Sequence, residues 1–305
     1  MSEMSSASPG TAWHNGEFVE ANRLLVSVDD IGFRQGVVAV ERMRTYGGRV
    51  AALEAHVVRW RRTLEELYLT TPVDLETIRQ RVAMLLDKNR RWIDQVGDCG
   101  IVMLATPGSA TQQTAGYQAT GHDAHGDHSN EMMHLLKLNH PRIEQHRQAG
   151  QRLFITNVEQ PSGKCWPRDI KVRCRLHYYL ADQQAREHHP DAVGLLIDHD
   201  GTVTETSVAN IAIVRSGKVL APPLEQVLPG ITQQIVEKAC REIGMTWESE
   251  RLWPAEIREA DEVWLMGTDG GLWFASHVDG HPIGGDTPAM HFRKALAAFD
   301  QLVRE

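Results

Sequence analysis

Val203-Thr204-Glu205-Thr206-Ser207-Val208-Ala209-Asn210 sets an acid on a strand between apolar neighbours, and Leu228-Pro229-Gly230-Ile231-Thr232 follows as a tight turn that opens directly into a helix. Around this pair the chain reads as short strands. The apolar runs 192–198, 202–206 and 210–214 are separated by His199-Asp200-Gly201 and Arg215-Ser216-Gly217, which is turn chemistry for antiparallel strands. Upstream lie a strand at 152–158 and a helix from about 175 to 187. Downstream, residues 232–243 carry Ile235, Val236, Ala239, Cys240 and Ile243 at helical spacing, with Gly244 as a C-terminal stop. A strand at 262–266 and a helix at 291–303 complete this half. Strands and helices intermixed in this way give an α+β class.

The first half starts with a hairpin signal, Asn15-Gly16 inside residues 13–20. Residues 54–69 place Val57, Trp60, Leu64, Leu67 and Tyr68 at helical spacing, and Asp74 can cap a second helix that turns Ile78, Val82, Leu85 and Leu86 inward. Residues 100–106 read as a buried strand. The chain then turns polar over 112–148, with little periodicity until 132–138, so this is the candidate interdomain stretch. The expected organisation is a disordered leader (1–11), a small N-terminal α/β domain (12–150) including a polar, His-rich loop (112–148), and a larger C-terminal domain (151–305). There is no internal repeat.

A net charge of −8 supplies no basic face for nucleic acid, so the expected partner is a small molecule. The four cysteines, Cys99, Cys165, Cys174 and Cys240, have neither zinc-site spacing nor the density of a disulfide framework, which suits a reducing cytoplasm. The opening MSEMSSASPG has no basic n-region or apolar h-region, and no stretch approaches the ~20 apolar residues that span a bilayer. A soluble, cytoplasmic protein is expected.

Two segments invite chemistry. A phosphate needs backbone N–H groups not consumed by secondary structure, and the first turn of a helix offers them with the positive end of its dipole. Ile231 and Thr232 fill that place, Gly230 permits close approach, and the Thr232 hydroxyl can add a donor; the plain alternative is a glycine turn with a threonine cap. Asp169-Ile170-Lys171, followed by Leu180-Ala181-Asp182-Gln183-Gln184-Ala185, puts a lysine just ahead of an amphipathic helix. A lysine so placed is ordinarily a solvated flank.

Taken together and in order, these segments resemble the class IV aminotransferases, whose pattern runs through a lysine segment, a "G-x-V-x-E-x-S-x-x-N" strand pair and an "L-x-G-I-T" turn. The resemblance covers about residues 13 to 294. It takes in Asp261-Glu262-Val263-Trp264, Gly267-Thr268 and Asp279-Gly280-His281-Pro282-Ile283-Gly284, and in the first half Tyr46-Gly47-Gly48 ahead of His56-Val57-Val58-Arg59. It implies fold-type IV: two α/β domains, a small open sandwich and a pseudo-barrel, with pyridoxal 5′-phosphate in the cleft between them. Lys171 would form the Schiff base and shuttle the proton. Glu205 would pair with the pyridine nitrogen, Arg59 would match the phosphate arginine, Asn210, Ile231, Thr232 and Thr268 would complete the pocket, and Leu228 would pack on the ring. The implied reaction moves an amino group between an amino acid and a 2-oxo acid in a homodimer. Elimination of the aminodeoxychorismate lyase type, on the same fold, and a non-catalytic ligand-binding homologue are the alternatives. Each implied residue also has an ordinary reading, as an exposed strand carboxylate, a turn residue or a helix-surface charge.

The chain departs from the pattern in places. The family's "D-R-G-F…G-D-G-x-[FY]-E" is here Asp30-Ile31-Gly32-Phe33-Arg34-Gln35-Gly36-Val37-Val38-Ala39-Val40-Glu41, with Val40 in the aromatic position. Thr106-Pro107-Gly108 replaces "T-R-G", and Gln233 stands where an arginine opens the helix. The stretch after Lys171, Val172-Arg173-Cys174-Arg175-Leu176-His177-Tyr178-Tyr179, is bulkier and more basic than usual, as if to recognise an acidic group. His122, His125, His128, His134, His140 and His146 lie among polar residues without compact zinc spacing, so no metal is expected.

Overall fold

The computed structural model describes residues 8–71, 74–109, 129–284 and 289–304. The chain divides into two compact units, Met1–Leu138 with Ile170–Cys174, and Asn139–Asp169 with Arg175–Glu305.

The first unit runs β1 (Thr11–His14), β2 (Glu17–Glu20), α1 (Ile31–Gln35), β3 (Ala39–Tyr46), β4 (Arg49–Val50), α2 (Leu53–Glu66), α3 (Leu75–Lys88), α4 (Arg90–Val96), β5 (Cys99–Thr106) and β6 (Asn130–Lys137). Its six-stranded sheet has the order β2-β1-β6-β5-β3-β4. The β1–β2 hairpin turns at Asn15 and Gly16, whose φ of 47° and 97° lie in the left-handed region that this dipeptide tolerates. Strand alternation sends Ala39, Met43, Ile101, Met103, Met133 and Leu135 to one face, where they meet Val57, Trp60 and Leu64 of α2 and Ile78, Val82 and Leu85 of α3. Asp74 caps α3 as expected, accepting from the Thr77 N–H at 2.8 Å. Tyr68 does not join that face: it lies beyond α2 with φ 54° and is 68% exposed, because the helix has already ended.

The second unit runs α5 (His140–Ala149), β7 (Gln151–Glu159), α6 (Leu176–His188), β8 (Val193–Ile197), β9 (Val203–Thr206), β10 (Asn210–Arg215), β11 (Lys218–Ala221), α7 (Ile231–Glu242), β12 (Trp247–Ser249), α8 (Pro254–Arg258), β13 (Glu262–Gly267), β14 (Gly271–Val278), β15 (His281–Pro282) and α9 (Met290–Leu302). The sheet path β12-β11-β10-β13-β14-β7-β8-β9 returns on itself, because β9 also pairs with β10. The six strands from β10 through β9 therefore close a barrel, filled by Leu153, Leu195, Val203, Ile211, Ile213, Val263, Leu265 and Trp273. Outside the barrel wall, α7 packs against α9 and β13, and the buried Glu262 carboxylate accepts from the His291 and Phe292 N–H groups that open α9, at 2.9 and 2.8 Å.

The expected boundary at residue 150 and the expected loop at 112–148 differ from this arrangement. β6 and α5 both fall inside that stretch. In β6 the apolar residues come as adjacent pairs, Met132-Met133 and Leu135-Leu136, which break strand alternation, and α5 has no buried residue, so neither element carries a clear apolar period. The break in contacts falls at Leu138, and Ile170–Cys174 returns to the first unit by pairing with β3. Thr11, placed in the leader, opens β1. Residues 1–7 of that leader and 110–128 of the loop, with His122, His125 and His128, lie outside the described residues.

Leu85 is fully buried between α3 and the first sheet. Leu85→Ala is expected to destabilise the first unit by about 2–5 kcal/mol, read as a lower denaturant midpoint for signals of the first unit at unchanged slope.

Candidate active site

In the first unit, Lys171 is fixed by its backbone. Its N–H donates to Thr63 Oγ1 at 3.0 Å, and its carbonyl accepts from the Val40 N–H at 3.0 Å. Thr63 lies one helical turn beyond Arg59 and donates its hydroxyl to the Arg59 carbonyl at 3.1 Å, so Lys171 and Arg59 are held by the same turn of α2. The Arg59 guanidinium is oriented in turn by Glu41, with Nε donating to Oε2 at 3.0 Å and Nη2 to Oε1 at 2.7 Å, while His56 Nδ1 lies 2.9 Å from Oε1. Burial works against the Glu41 charge, yet Arg59 and His56 together hold its carboxyl well below the usual range. Burial also depresses the His56 imidazole, against the pull of Glu41.

In the second unit, Glu205 and Asn210 face one another across the β9–β10 pairing that closes the barrel. The buried Glu205 carboxylate accepts from Asn210 Nδ2 at 3.1 Å, Gln160 Nε2 at 3.1 Å, the Tyr178 hydroxyl at 2.6 Å and the Leu228 N–H at 3.3 Å. Asn210 also donates to the Leu228 carbonyl at 2.9 Å. Burial, then the Glu205 charge, raise the Tyr178 phenol well above its ordinary pKa, so it stays a donor. Leu228 thus enters the site through its backbone. The approach to this network is braced by Arg168, which grips the buried Asp198 through two bonds of 2.7 and 2.9 Å and donates to the carbonyls of Pro161 and Gln226.

Gly230 joins the network to α7, since a Cβ there would stand 1.9 Å from Asn210 Oδ1. The first intrahelical bond of α7 runs from the Gln234 N–H to the Gly230 carbonyl, and no side chain caps the helix. The N–H groups of Ile231, Thr232 and Gln233 precede that bond, all three residues are buried, and the Gln233 side-chain oxygen is buried without a partner. A buried helix start of this kind needs an acceptor, and the donor set fits a phosphate. Thr268 follows β13 and is half-buried. Among the described residues no hydrogen bond ties its side chain to the Glu205 network. Its neighbour Gly267 packs against the Val208 backbone so tightly that a Cβ would lie 2.3 Å from the Val208 carbonyl oxygen.

Sequence reasoning missed Thr63, Glu41, Gln160 and Tyr178 as site residues. Thr63 carries a signal in its one-turn spacing from Arg59, and Glu41 in the glutamate of its motif. Gln160 and Tyr178 reach Glu205 from other elements and leave none. The altered 30–41 segment is a built corner: Asp30 caps α1 through the Gly32 N–H at 2.7 Å and accepts from the Thr106 hydroxyl at 2.7 Å. Among the described residues no group of His, Cys, Asp and Glu side chains is placed to hold a metal ion.

Gly230 has an ordinary φ of −71°, so Gly230→Ala tests the close approach alone. It is expected to push Asn210 off Glu205 and to lower the melting temperature, whereas an unchanged melt would mean that the approach is dispensable. Both His56 and Glu41 have folded pKa values below their unfolded ones, so their stabilisation is complete above the unfolded values, about 6.5 and 4.3, and is lost as pH falls through the folded ones. Melting temperature should therefore decline from pH 7 to 5, and His56→Gln should flatten the upper part of that decline.

Comparison with known proteins identifies the family and the fold. The Amino-transferase class IV family profile matches residues 38–278. The D-alanine aminotransferase of Bacillus licheniformis is 25% identical over 275 residues, covering 90% of each chain. A probable branched-chain-amino-acid aminotransferase of Rickettsia bellii is 24% identical over 260 residues, covering 84% of this chain and 83% of that one. Among solved structures, the branched-chain amino acid aminotransferase from Thermobaculum terrenum in its PLP-form superposes with a TM-score of 0.81 at 20% identity, over 97% of this chain and 94% of that one. The branched-chain amino acid aminotransferase from Escherichia coli gives 0.83 at 20%, over 97% and 94%. These likenesses show the fold, which is that of fold-type IV, and the family match over most of the chain makes the protein a member of the class IV aminotransferases.

Proposed function

We propose that this aminotransferase works with pyridoxal 5′-phosphate and exchanges an amino group between an amino acid and a 2-oxo acid. The observation that carries the reading is the buried, uncapped start of α7, joined through Gly230 and Asn210 to the Glu205 carboxylate. One end of that array suits a phosphate and the other a protonated ring nitrogen. When bound, the cofactor supplies the electron sink that lets a proton leave the substrate α-carbon.

The remaining work falls to the chain. Lys171 Nζ would hold the cofactor and then move the proton, from a backbone fixed at both its N–H and its carbonyl. Glu205, held by Asn210, Gln160 and Tyr178, would keep a proton on the pyridine nitrogen. The N–H groups of Ile231 and Thr232 would bind phosphate oxygens, with Arg59, set in place by Glu41, adding positive charge. Thr268 would border the same pocket, and Leu228 would serve both as the backbone partner of Glu205 and as a wall to the ring. The relatives named above are aminotransferases, which favours transfer over elimination. The intact Lys171 and Glu205 favour turnover over simple ligand binding.

A homodimer is part of the same reading: Leu25, Val28 and Phe33 are 73%, 72% and 72% exposed in one short segment, an apolar run that suits a second copy. No helix of the described residues is long and apolar enough to cross a membrane, and the free cysteines Cys99, Cys165, Cys174 and Cys240 suit a cytoplasmic setting. Small amino and 2-oxo acids are the proposed partners.

The test is an absorbance spectrum of the protein loaded with pyridoxal 5′-phosphate, wild type against Lys171→Ala, followed by a panel of L- and D-amino acids. A band at the edge of the visible that requires Lys171 and bleaches with an amino donor is the expected outcome. A band that is unchanged in Lys171→Ala would remove Lys171 from its role, and one that no donor bleaches would favour the non-catalytic alternative.

A further inference from the structure

Pro107 and Gln233 stand where the family pattern has arginines, so a carboxylate-bearing substrate needs its cations from elsewhere in the chain. The first unit's sheet offers them. Ala39 and Val172 form an antiparallel bridge, with the Val40 N–H bonded to the Lys171 carbonyl and the Arg173 N–H to the Val38 carbonyl, each at 3.0 Å. The register sets Val40 opposite Lys171 and Val38 opposite Arg173. By strand alternation, Val40 and Arg42 of β3, and Val38 just ahead of it, share one face with the positions of Lys171 and Arg173. Arg42 stands two residues along the strand from Val40, about 7 Å.

The same face continues across the sheet. Arg42 is paired with Val102, and Val102 with His134, so the three form one row over β3, β5 and β6. Arg42 and His134 are half-buried and Arg173 is exposed. Burial, and then the positive charges of Arg173 and Arg42, depress the His134 imidazole, which puts both guanidiniums within electrostatic reach of a single ring. Arg44, the next arginine on this face, is engaged locally, lying 4.1 Å over the Tyr46 ring and donating to the Thr45 carbonyl. Val40 itself, in the family's aromatic position, puts a small apolar side chain on this face rather than a ring.

We infer that Arg42 and Arg173 form the carboxylate-binding site of this enzyme, beside Lys171, in place of the two family arginines that the chain lacks. The inference rests on the aminotransferase reading above. Two guanidiniums around one apolar patch suit a carboxylate bound in paired N–H···O contacts, a geometry that a lysine cannot reproduce. The carboxylate can be the one on the α-carbon of every amino acid or a second one on the side chain of an acidic donor, and the two are separable.

Holoenzyme with Arg42→Ala, Arg173→Ala or Arg42→Lys is compared with wild type on alanine, glutamate and butylamine as donors. In parallel, glutarate and butylamine binding are measured by calorimetry. Loss of one charge-assisted contact is expected to raise KM for the carboxylate donors roughly ten- to a hundred-fold with a smaller change in kcat, to leave butylamine unaffected, and to weaken glutarate binding in step, with partial recovery in Arg42→Lys. A rise shared by alanine and glutamate assigns the site to the α-carboxylate; one confined to glutamate assigns it to the side chain. Unchanged KM and unchanged glutarate affinity in both alanine variants overturn the inference. If wild type turns over no donor, the aminotransferase reading fails, and glutarate affinity still decides the arginine site.

Discussion

The second unit depends on the pairing of Glu205 with Asn210. Those two residues are cross-strand partners at the point where β9 meets β10, which turns an open sheet into a closed barrel. Closure abolishes the sheet edge there, and the edge is sealed by the same side chains that build the polar site. A buried carboxylate is tolerable only when donors surround it, and Asn210, Gln160, Tyr178 and the Leu228 backbone supply them from separate parts of the chain. Architecture and the polar network therefore cannot be altered independently here: a substitution at Glu205 disturbs the strand pairing that closes the barrel as well as the donors gathered around it.

The first unit solves a comparable problem with a different device. It holds the backbone of Lys171 and the guanidinium of Arg59 each in one place. Thr63 does the first through the Lys171 N–H, and Glu41 does the second through two bonds to the guanidinium. Both contacts run through α2, whose Val57, Trp60 and Leu64 are buried in the core, so little rotation of that helix is open to them. Arg59 and His56 sustain the Glu41 charge, whereas burial, against the pull of Glu41, holds the His56 imidazole below its ordinary pKa.

Much of this was legible in the sequence because its signals are local. Asn15-Gly16 and Ser216-Gly217 announce positive φ, and the strands on either side of each form hairpins. The apolar spacing of α2, α3, α7 and α9 reports their buried faces, and for α7 and α9 it falls within one residue of the observed ends. Motif order placed Lys171, Glu205, Asn210 and the Gly230 turn on the expected elements. What was not legible depends on distant parts of the chain. α5 buries no residue and so carries no period, and Tyr178 and Gln160 become ligands of Glu205 only through the tertiary fold. The return of Ile170–Cys174 to the first unit rests on backbone bonds to β3, which any side chains could make. Tyr68 shows the opposite error, an apolar spacing that outlasts its helix.

The barrel also bears on how the chain comes off the ribosome. β7 lies parallel to both β8 and β14, and β14 is nearly the last strand to be synthesised. The ring cannot be completed until almost the whole polypeptide has emerged, so β7 and β10 must each wait with one unpaired edge until β14 and β13 are made. The first unit faces a shorter wait of the same kind, because the strip that carries Lys171 arrives only after β7 has left the tunnel. A nascent chain of this protein is thus at greatest risk of misassociation midway through its synthesis, and slow translation across the second half would lengthen that interval rather than relieve it.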